Sequence, residues 1–387
     1  MGRCLLLIID GLGVGAQEDA AQYQDTGTNT LGHVVNQTRC MLPNFETLGM
    51  GNVIPLDTVP PVRNPSAAFG KLREYSAGKD STTGHWEIAG IKREQPFPVY
   101  PEGFPDDVID LFCRLTTTSH VLANIPSSGT AVIEEFGELH QATAAPIVYT
   151  SADSVFQIAA HTETVPLEKL YEWCYVARNE VMTGVHGVGR VIARPFTGSP
   201  GAYVRLSDQR KDFSLIPPDP FLPSFLMNQG IETISVGKVI DLFADKGFSS
   251  AFRTKSNAEG LACILELLDT QQDGFIFINL IETDQDFGHR NDVQGYAEAL
   301  ASIDVVLPEI RSKMNEDDLL MITGDHGNDP TTKGTDHTRE FTPLLVYPAE
   351  KAISVELPTR DGFFDIAASV CRYFGLKHPF PGVSFIK

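Results

Sequence analysis

The chain has 387 residues and carries 30 Lys+Arg against 50 Asp+Glu, a formal net charge of −20 at pH 7. That balance excludes nucleic-acid backbones and anionic membranes as general partners, since both require a basic footprint, but leaves open a small anionic substrate held by a local group of Arg and Lys. With 42% apolar residues the sequence lacks the apolar deficit of a disordered chain, and at roughly 100–200 residues per domain its length suits two domains or so.

The first predicted element is the apolar run Leu5-Leu6-Leu7-Ile8-Ile9, cut off by Asp10. It is too short for a signal-peptide core and far too short for a membrane span. Cys4, Cys40, Cys113, Cys174, Cys263 and Cys371 are scattered without a C-x-x-C pair and read as reduced thiols, so a cytoplasmic protein is expected. Gly11-Leu12-Gly13-Val14-Gly15-Ala16 formally fits a dinucleotide loop. Asp10 would stand where the pyrophosphate has to approach, which makes a nucleotide cofactor the weaker reading. Further on, Ser76–Glu87 packs Ser76, Ser81, Thr82 and Thr83 with two glycines, Lys79 and His85 into a run that suits neither a helix nor a buried strand. It reads either as a polar turn or as the seat of a nucleophilic hydroxyl, which needs a base or a metal to become reactive.

Two proline-dense stretches follow, Pro96 to Pro101 continuing to Pro105, and Pro217-Pro218-Asp219-Pro220 continuing to Pro223. Proline neither continues a helix nor sits inside a sheet, so such clusters mark stiff connections. They bracket a domain-sized stretch. The predicted division is a core of residues 1–98 and 217–387 interrupted by an inserted domain, residues 99–216. Beyond it, Asn257–Leu268, Val293–Lys313 and Asp365–Phe374 carry helical spacing, while Phe275–Leu280, Leu319–Thr323 and the shorter Leu344–Tyr347 are apolar runs. Unbroken apolarity over so few residues suits strands buried on both faces, hence an α/β fold with a mostly parallel sheet covered by helices.

Ligands of open α/β sheets collect just beyond the carboxyl ends of the strands. The first run ends at Asp10. The second is followed by Glu282-Thr283-Asp284-Gln285-Asp286-Phe287-Gly288-His289, and the third by Gly324-Asp325-His326-Gly327-Asn328-Asp329, with Gly334-Thr335-Asp336-His337-Thr338-Arg339 a little further on. Three strands therefore deliver carboxylates and imidazoles to one edge. A single Asp-His pair there would read as helix capping; clusters at three corresponding strand ends read as a metal centre. Asp and His without Cys favour Mn²⁺, Zn²⁺ or Mg²⁺, and six such ligands suit two ions of the kind that hold both oxygens of a phosphoryl displacement.

Together, Asp10, the Gly78–Glu87 segment, Asp284 with His289, Asp325–Asp329 and Gly334–Arg339 resemble the alkaline phosphatase superfamily of metalloenzymes, and within it the phosphopentomutases. The similarity runs almost end to end, including Tyr149–Val155, Gly189–Phe196 and Arg253–Asn257. The resemblance implies an alkaline-phosphatase-like core with an inserted α/β cap domain and a two-Mn²⁺ site at their seam. One metal would be held by Asp284, His289 and His337, the other by Asp10, Asp325 and His326. Ser81 would be the nucleophile and a metal ligand. Ser151, Asp153, Val155, Arg190, Ile192 and Arg205 in the cap, with Lys238, match positions expected near the sugar phosphate.

The implied reaction interconverts ribose (or 2-deoxyribose) 1-phosphate and 5-phosphate through a phosphoserine and a 1,5-bisphosphate, primed by glucose 1,6-bisphosphate or a similar sugar bisphosphate. A small-molecule pentose phosphate is the expected partner, with no nucleic acid, membrane or protein partner. Two positions depart from the family pattern. Ser81 stands where phosphopentomutases usually place Thr; the missing methyl frees χ1 and loosens placement of the hydroxyl. Ile125 in Asn124-Ile125-Pro126-Ser127-Ser128-Gly129-Thr130 stands where a Lys is expected, removing a cation from the cap. The alternatives are a metal-dependent phosphatase or phosphodiesterase, a mutase for another sugar phosphate, a phosphoglycerate mutase, and a non-catalytic metal-binding protein on an inherited fold.

Overall fold

Consecutive buried residues from Arg3 to Ile9 form the first strand of the computed structural model, which describes residues 2–151 and 153–387. In chain order the strands are β1 (Arg3–Ile9), β2 (Ala68–Leu72), β3 (Leu122–Pro126), β4 (Ile147–Thr150), β5 (Val155–His161), β6 (Arg190–Thr197), β7 (Val204–Arg205), β8 (Lys211–Ser214), β9 (Thr233–Val236), β10 (Ser250–Phe252), β11 (Gly274–Leu280), β12 (Leu319–Thr323) and β13 (Thr342–Tyr347). The chain divides into two compact units, one made of Met1–Pro96 with Pro217–Lys387 and the other of Phe97–Ile216.

The first unit holds a sheet in the order β10-β9-β11-β1-β12-β13-β2. The run from β10 through β12 is parallel, and β13 lies antiparallel to both β12 and β2. The α/β expectation therefore holds, and its cause is visible in the burial. Helices Asn257–Thr270 and Val293–Lys313 are capped by Ser256 and Asp292, whose side chains accept from the backbone N–H of Glu259 and Gly295. Their Leu261, Ile264, Leu268, Leu300, Ile303 and Leu307 share one core with Leu5, Leu7, Ile9, Ile276 and Ile278. Truncating any one of these leucines to Ala would cost about 2–5 kcal/mol.

Register is what this sheet contributes to function. Ile9 pairs with Leu280 and Ile8 with Thr323, so β1, β11 and β12 end nearly level. The residues that follow them, Asp10, Asp284 and Asp325, leave the sheet at one edge. At the opposite end, the buried Arg3 guanidinium meets Asp318, with Nε 3.0 Å from Oδ2, an ion pair that fixes the start of β1 against the start of β12.

The second unit is built on a mixed sheet, β3-β4-β5-β6-β7 with β8 beside β6. β5 and β6 run parallel from Val155↔Arg190 to His161↔Phe196. Its two faces carry separate cores, one around Phe112, Phe156 and Trp173 and the other around Ile133, Tyr149 and Phe196. Among the described residues no helix is long and apolar enough to cross a membrane.

One local expectation is overturned. The hydroxyl-rich segment contains a helix, Ser81–Ile88. β-branched Thr82 and Thr83 and Gly84 are weak helix formers, and nothing in their periodicity announces it. Burial of every residue from Thr82 to Ile88 and the Asp80 side chain, which accepts from Thr83 N–H at 3.0 Å, hold it instead.

Candidate metal centre

Backbone geometry sets the acids in place before any side chain acts. Asp10 N–H continues the β1–β11 ladder by donating to Leu280 O at 3.0 Å. Gly11 then turns away with φ +74°, and a Cβ there would meet Asn328 Cβ at 3.0 Å and Asp284 Oδ1 at 3.3 Å. Only glycine suits both that conformation and that approach. Its amide donates to Asp325 Oδ1 at 3.1 Å. The glycine loop that formally fits a dinucleotide motif thus turns its first amide on a carboxylate of the chain itself.

Two groups of buried ligand atoms result, Asp10, Asp325 and His326, and Asp284, His326 and His337; within each, the atoms lie within 4.8 Å of one another. His326 belongs to both. Its Nδ1 donates to Gly327 O at 3.0 Å, which leaves Nε2 turned to the acids, 3.4 Å from Asp10 Oδ1 and 3.3 Å from Asp325 Oδ2. His289 is oriented in the same way. Nδ1 is 2.6 Å from Thr335 O, and Nε2 is 3.5 Å from Asp284 Oδ2. His337 Nε2 stands 3.3 Å from Asp284 Oδ1. One imidazole nitrogen tied to a carbonyl while the other faces carboxylates is how metal-ligating histidines are held.

The cluster keeps its acids ionised by setting cations beside them. Asp10, Asp284 and Asp325 are all buried, and buried carboxylates persist as anions only beside cations. Burial works against the charged form of Asp284 but is outweighed by His337, His326 and Lys238, so its carboxyl lies well below the ordinary range. Burial likewise opposes the charged form of His326, and Asp325, Asp10 and Asp284 overcome it, raising its pKa well above the usual imidazole value. Three acids and imidazoles without thiolate form a donor set for hard or borderline divalent cations, so the residues present fit such ions.

Ser81 opens its helix directly against this cluster. Its Oγ lies 3.1 Å from His326 Nε2 and 3.5 Å from Asp10 Oδ1. A serine at a helix N-terminus faces the positive end of the helix dipole, which favours negative charge on the hydroxyl or on a group bonded to it. Lys238, which follows β9 in the first unit, brings Nζ to 3.2 Å from Ser81 Oγ and 2.6 Å from Asp10 Oδ2.

Residues outside the expected set complete the arrangement. His85, one helical turn beyond Ser81, places Nδ1 2.9 Å from Ser81 O and 3.0 Å from Asp325 Oδ2. Its Nε2 accepts from Asn279 Nδ2 at 3.2 Å. Asn328 Nδ2 donates to Asp284 Oδ1 at 2.7 Å. The spacing of four between Ser81 and His85 was the available signal, once the segment is known to be helical.

In the second unit, Val155 and Arg190 pair at the starts of β5 and β6, and Ile192 follows on β6. Arg190 reaches Asp212 at 3.4 Å and Asp153 at 3.7 Å. Ser151 is half-buried directly after β4. Arg205 enters from β7 opposite Phe196, near the far end of β6 from Arg190. Lys238 belongs to the first unit.

Comparison with known proteins agrees with this geometry. The family model of the metalloenzyme superfamily matches residues 2–378. The phosphopentomutase of Caldanaerobacter subterraneus subsp. tengcongensis is 51% identical, with 100% of this chain and 97% of that protein covered. The phosphopentomutase of Acetivibrio thermocellus is 47% identical, over 100% and 99%. In fold alone, the chain is similar to Leishmania mexicana phosphoglycerate mutase, with a TM-score of 0.51 at 12% identity over 100% of this chain and 98% of that one.

Proposed function

We propose, for a chain that belongs to the metalloenzyme superfamily and within it to the phosphopentomutases, that Ser81 carries the transferred phosphoryl group in interconverting pentose 1-phosphate and 5-phosphate. The observation that carries this reading is Ser81 Oγ, within 3.5 Å of Asp10, His326 and Lys238 at the mouth of a helix. In it, phospho-Ser81 passes its phosphoryl group to the free hydroxyl of the bound pentose phosphate; the P–O bond to serine breaks as the bond to the sugar oxygen forms. In the net step the hydroxyl proton passes to the Ser81 oxygen that the phosphoryl group leaves, and a 1,5-bisphosphate results. The bisphosphate returns its other phosphoryl group to Ser81, and the sugar leaves with its phosphate moved.

Divalent metal ions, Mn²⁺ in this reading, would be held by Asp10, Asp325 and His326 and by Asp284, His289 and His337, and would supply charge neutralisation for the phosphoryl oxygens and activation of the serine hydroxyl. The chain's own residues contribute the rest. Burial disfavours the charged form of Lys238 but Asp10, Asp284 and Asp325 overcome it and raise its pKa. Its ammonium therefore stays charged beside Ser81, aimed where the transferring group carries negative charge. His85 holds the first turn of the Ser81 helix against Asp325. Ser151, Asp153, Val155, Arg190, Ile192 and Arg205 are assigned to the sugar phosphate by likeness to the family. The six free cysteines suit a reducing cytoplasm.

The test is ³¹P NMR of the protein with Mn²⁺, ribose 5-phosphate and a trace of glucose 1,6-bisphosphate, repeated with 2-deoxyribose 5-phosphate. A pentose 1-phosphate resonance is expected. Inorganic phosphate alone would mean a phosphatase. Intact-protein mass spectrometry should find one phosphoryl group on the wild type and none on Ser81→Ala.

A further inference from the structure

Arg339 is buried two residues beyond His337 and is not itself one of the grouped ligands. All five of its guanidinium N–H groups have acceptors. Nη1 donates to Ser76 O at 2.8 Å and Gly78 O at 2.7 Å, and Nη2 to Glu74 O at 2.8 Å. Nη2 and Nε also reach Asp19 Oδ2 and Oδ1, at 3.0 and 3.2 Å. The three carbonyls come from alternate residues of the segment between the end of β2 and Ser81. That segment has no regular secondary structure; Glu87 of the Ser81 helix accepts from its Tyr75 and Ser76 N–H groups, while Arg339 takes its carbonyls and ties them to the segment carrying His337.

A second stitch lies alongside the first. Arg339 N–H donates to Asp25 Oδ2 at 2.8 Å. Asp25 in turn accepts from Lys79 Nζ, which stands 3.2 Å from both Asp25 Oδ2 and Asp336 Oδ2. The residues on either side of His337 therefore grip the loop that ends at Ser81.

We infer that Arg339 is the positioning residue of the nucleophile: its fork of N–H groups fixes the Glu74–Asp80 loop to the segment carrying His337, so that Ser81 Oγ and the metal ligands keep one relative placement. The inference rests on the reading of Ser81 as the phosphoryl carrier. It also bears on the smaller side chain at position 81. A serine has more χ1 freedom than a threonine, so precision of attack has to come from the backbone that delivers it. A lysine in place of Arg339 would keep the charge facing Asp19 but, being a single point donor, could not span three carbonyls.

Arg339→Lys is therefore the informative variant. It should keep the wild-type metal content by inductively coupled plasma mass spectrometry and a KM for ribose 5-phosphate within about twofold. Its kcat, and the rapid-quench rate of Ser81 phosphorylation by glucose 1,6-bisphosphate, should fall about 10- to 100-fold, the scale of a misplacement near 1 Å. Phosphorylation at the wild-type rate would overturn the inference, as would a rise in KM with kcat unchanged. Wild-type protein that never carries phosphate on Ser81 would instead overturn the reading beneath it. Should Arg339→Lys not fold, Asp19→Asn, which loosens the fork from its half-exposed side, is expected to lower kcat severalfold at constant KM; an unchanged kcat would overturn the inference equally.

Discussion

The strand-end cluster of the first unit and the arginine group of the second meet charge in opposite ways. Asp10, Asp284 and Asp325 are buried together, with imidazoles and one lysine as their cations. In the second unit one carboxylate is shared between guanidiniums. Asp212 takes Arg190 at 3.4 Å and Arg210 at 2.7 Å. Burial opposes the charged form of Asp212, but those two guanidiniums prevail and lower its pKa. The first site sets three acids beside one lysine and two imidazoles; in the second, any anion that binds Arg190 or Arg210 competes with Asp212. One is a rigid socket set by sheet register, the other a group of cations whose availability depends on their partners.

The sharpest way to break that comparison is at His326, the residue shared by both ligand groups. His326→Ala should remove both metals together and lower activity by about 10³-fold or more, the scale of losing a principal electrostatic contact in the reaction. Loss of one metal with the other retained at full affinity would show two independent sites rather than one socket.

Next in size is the response of the socket to pH. In the metal-free protein the His326 pKa is raised above its unfolded value, so its protonated form stabilises the fold below the unfolded value near 6.5. That stability is lost as pH rises through the raised pKa. Chelated protein should therefore lose thermal stability toward alkaline pH while metal-loaded protein does not. Below that pKa, metal affinity should climb by up to about tenfold per pH unit, with proton release on binding. Calorimetry in buffers of differing ionisation enthalpy reads both, and uptake without proton release would show that His326 is not a protonated cation of the metal-free cluster.

The same contrast explains what could be read from the chain alone. Asp10, Asp284, Asp325 and His326 were legible because each follows an unbroken apolar run, and a parallel sheet converts the end of such a run into a place. Lys238 was legible only by likeness to a family, because β9, with Thr233 and Ser235 in a strand of four residues, does not look like a buried strand. Of its two polar side chains, Thr233 is satisfied inside the protein, its Oγ1 donating to Gly247 O at 2.9 Å. His85 and the Ser81 helix were hidden for a related reason, since tertiary burial overrides poor helix propensity. The second unit gave least, because Val155, Arg190 and Ile192 lie at the starts of strands of a mixed sheet, where no run of carboxylates and imidazoles marks a strand end as it does in the first unit.

In that unit the expected effects are smaller. Arg190→Gln should raise KM for ribose 5-phosphate about tenfold, with a lesser change in kcat, if its role is uniform binding of the phosphate. Asp212→Asn should act in the opposite direction, lowering KM about two- to threefold by releasing Arg190 and Arg210 from their shared partner. Equal and parallel losses from both variants would mean that the arginine group is structural.

The smallest effect belongs to His140, which makes the second unit sensitive to acid where the first is sensitive to base. His140 is buried, its Nδ1 donates to Ala145 O at 2.8 Å, and its Nε2 accepts from His161 N–H at 2.8 Å. Both ring nitrogens are thus committed to the neutral form. Burial lowers its pKa and His161 lowers it further, against the opposing pull of Ala145 O. A histidine with a depressed folded pKa contributes stability that is present above the unfolded value near 6.5 and is lost as pH falls through the folded value. The protection of amides in β5, whose last residue is His161, measured relative to the intrinsic base-catalysed exchange rate at each pH, should therefore fall between pH 7 and pH 5, while that of β1 holds. A slope of the same size in β1, or none in β5, would show that this histidine does not set the acid response of its unit.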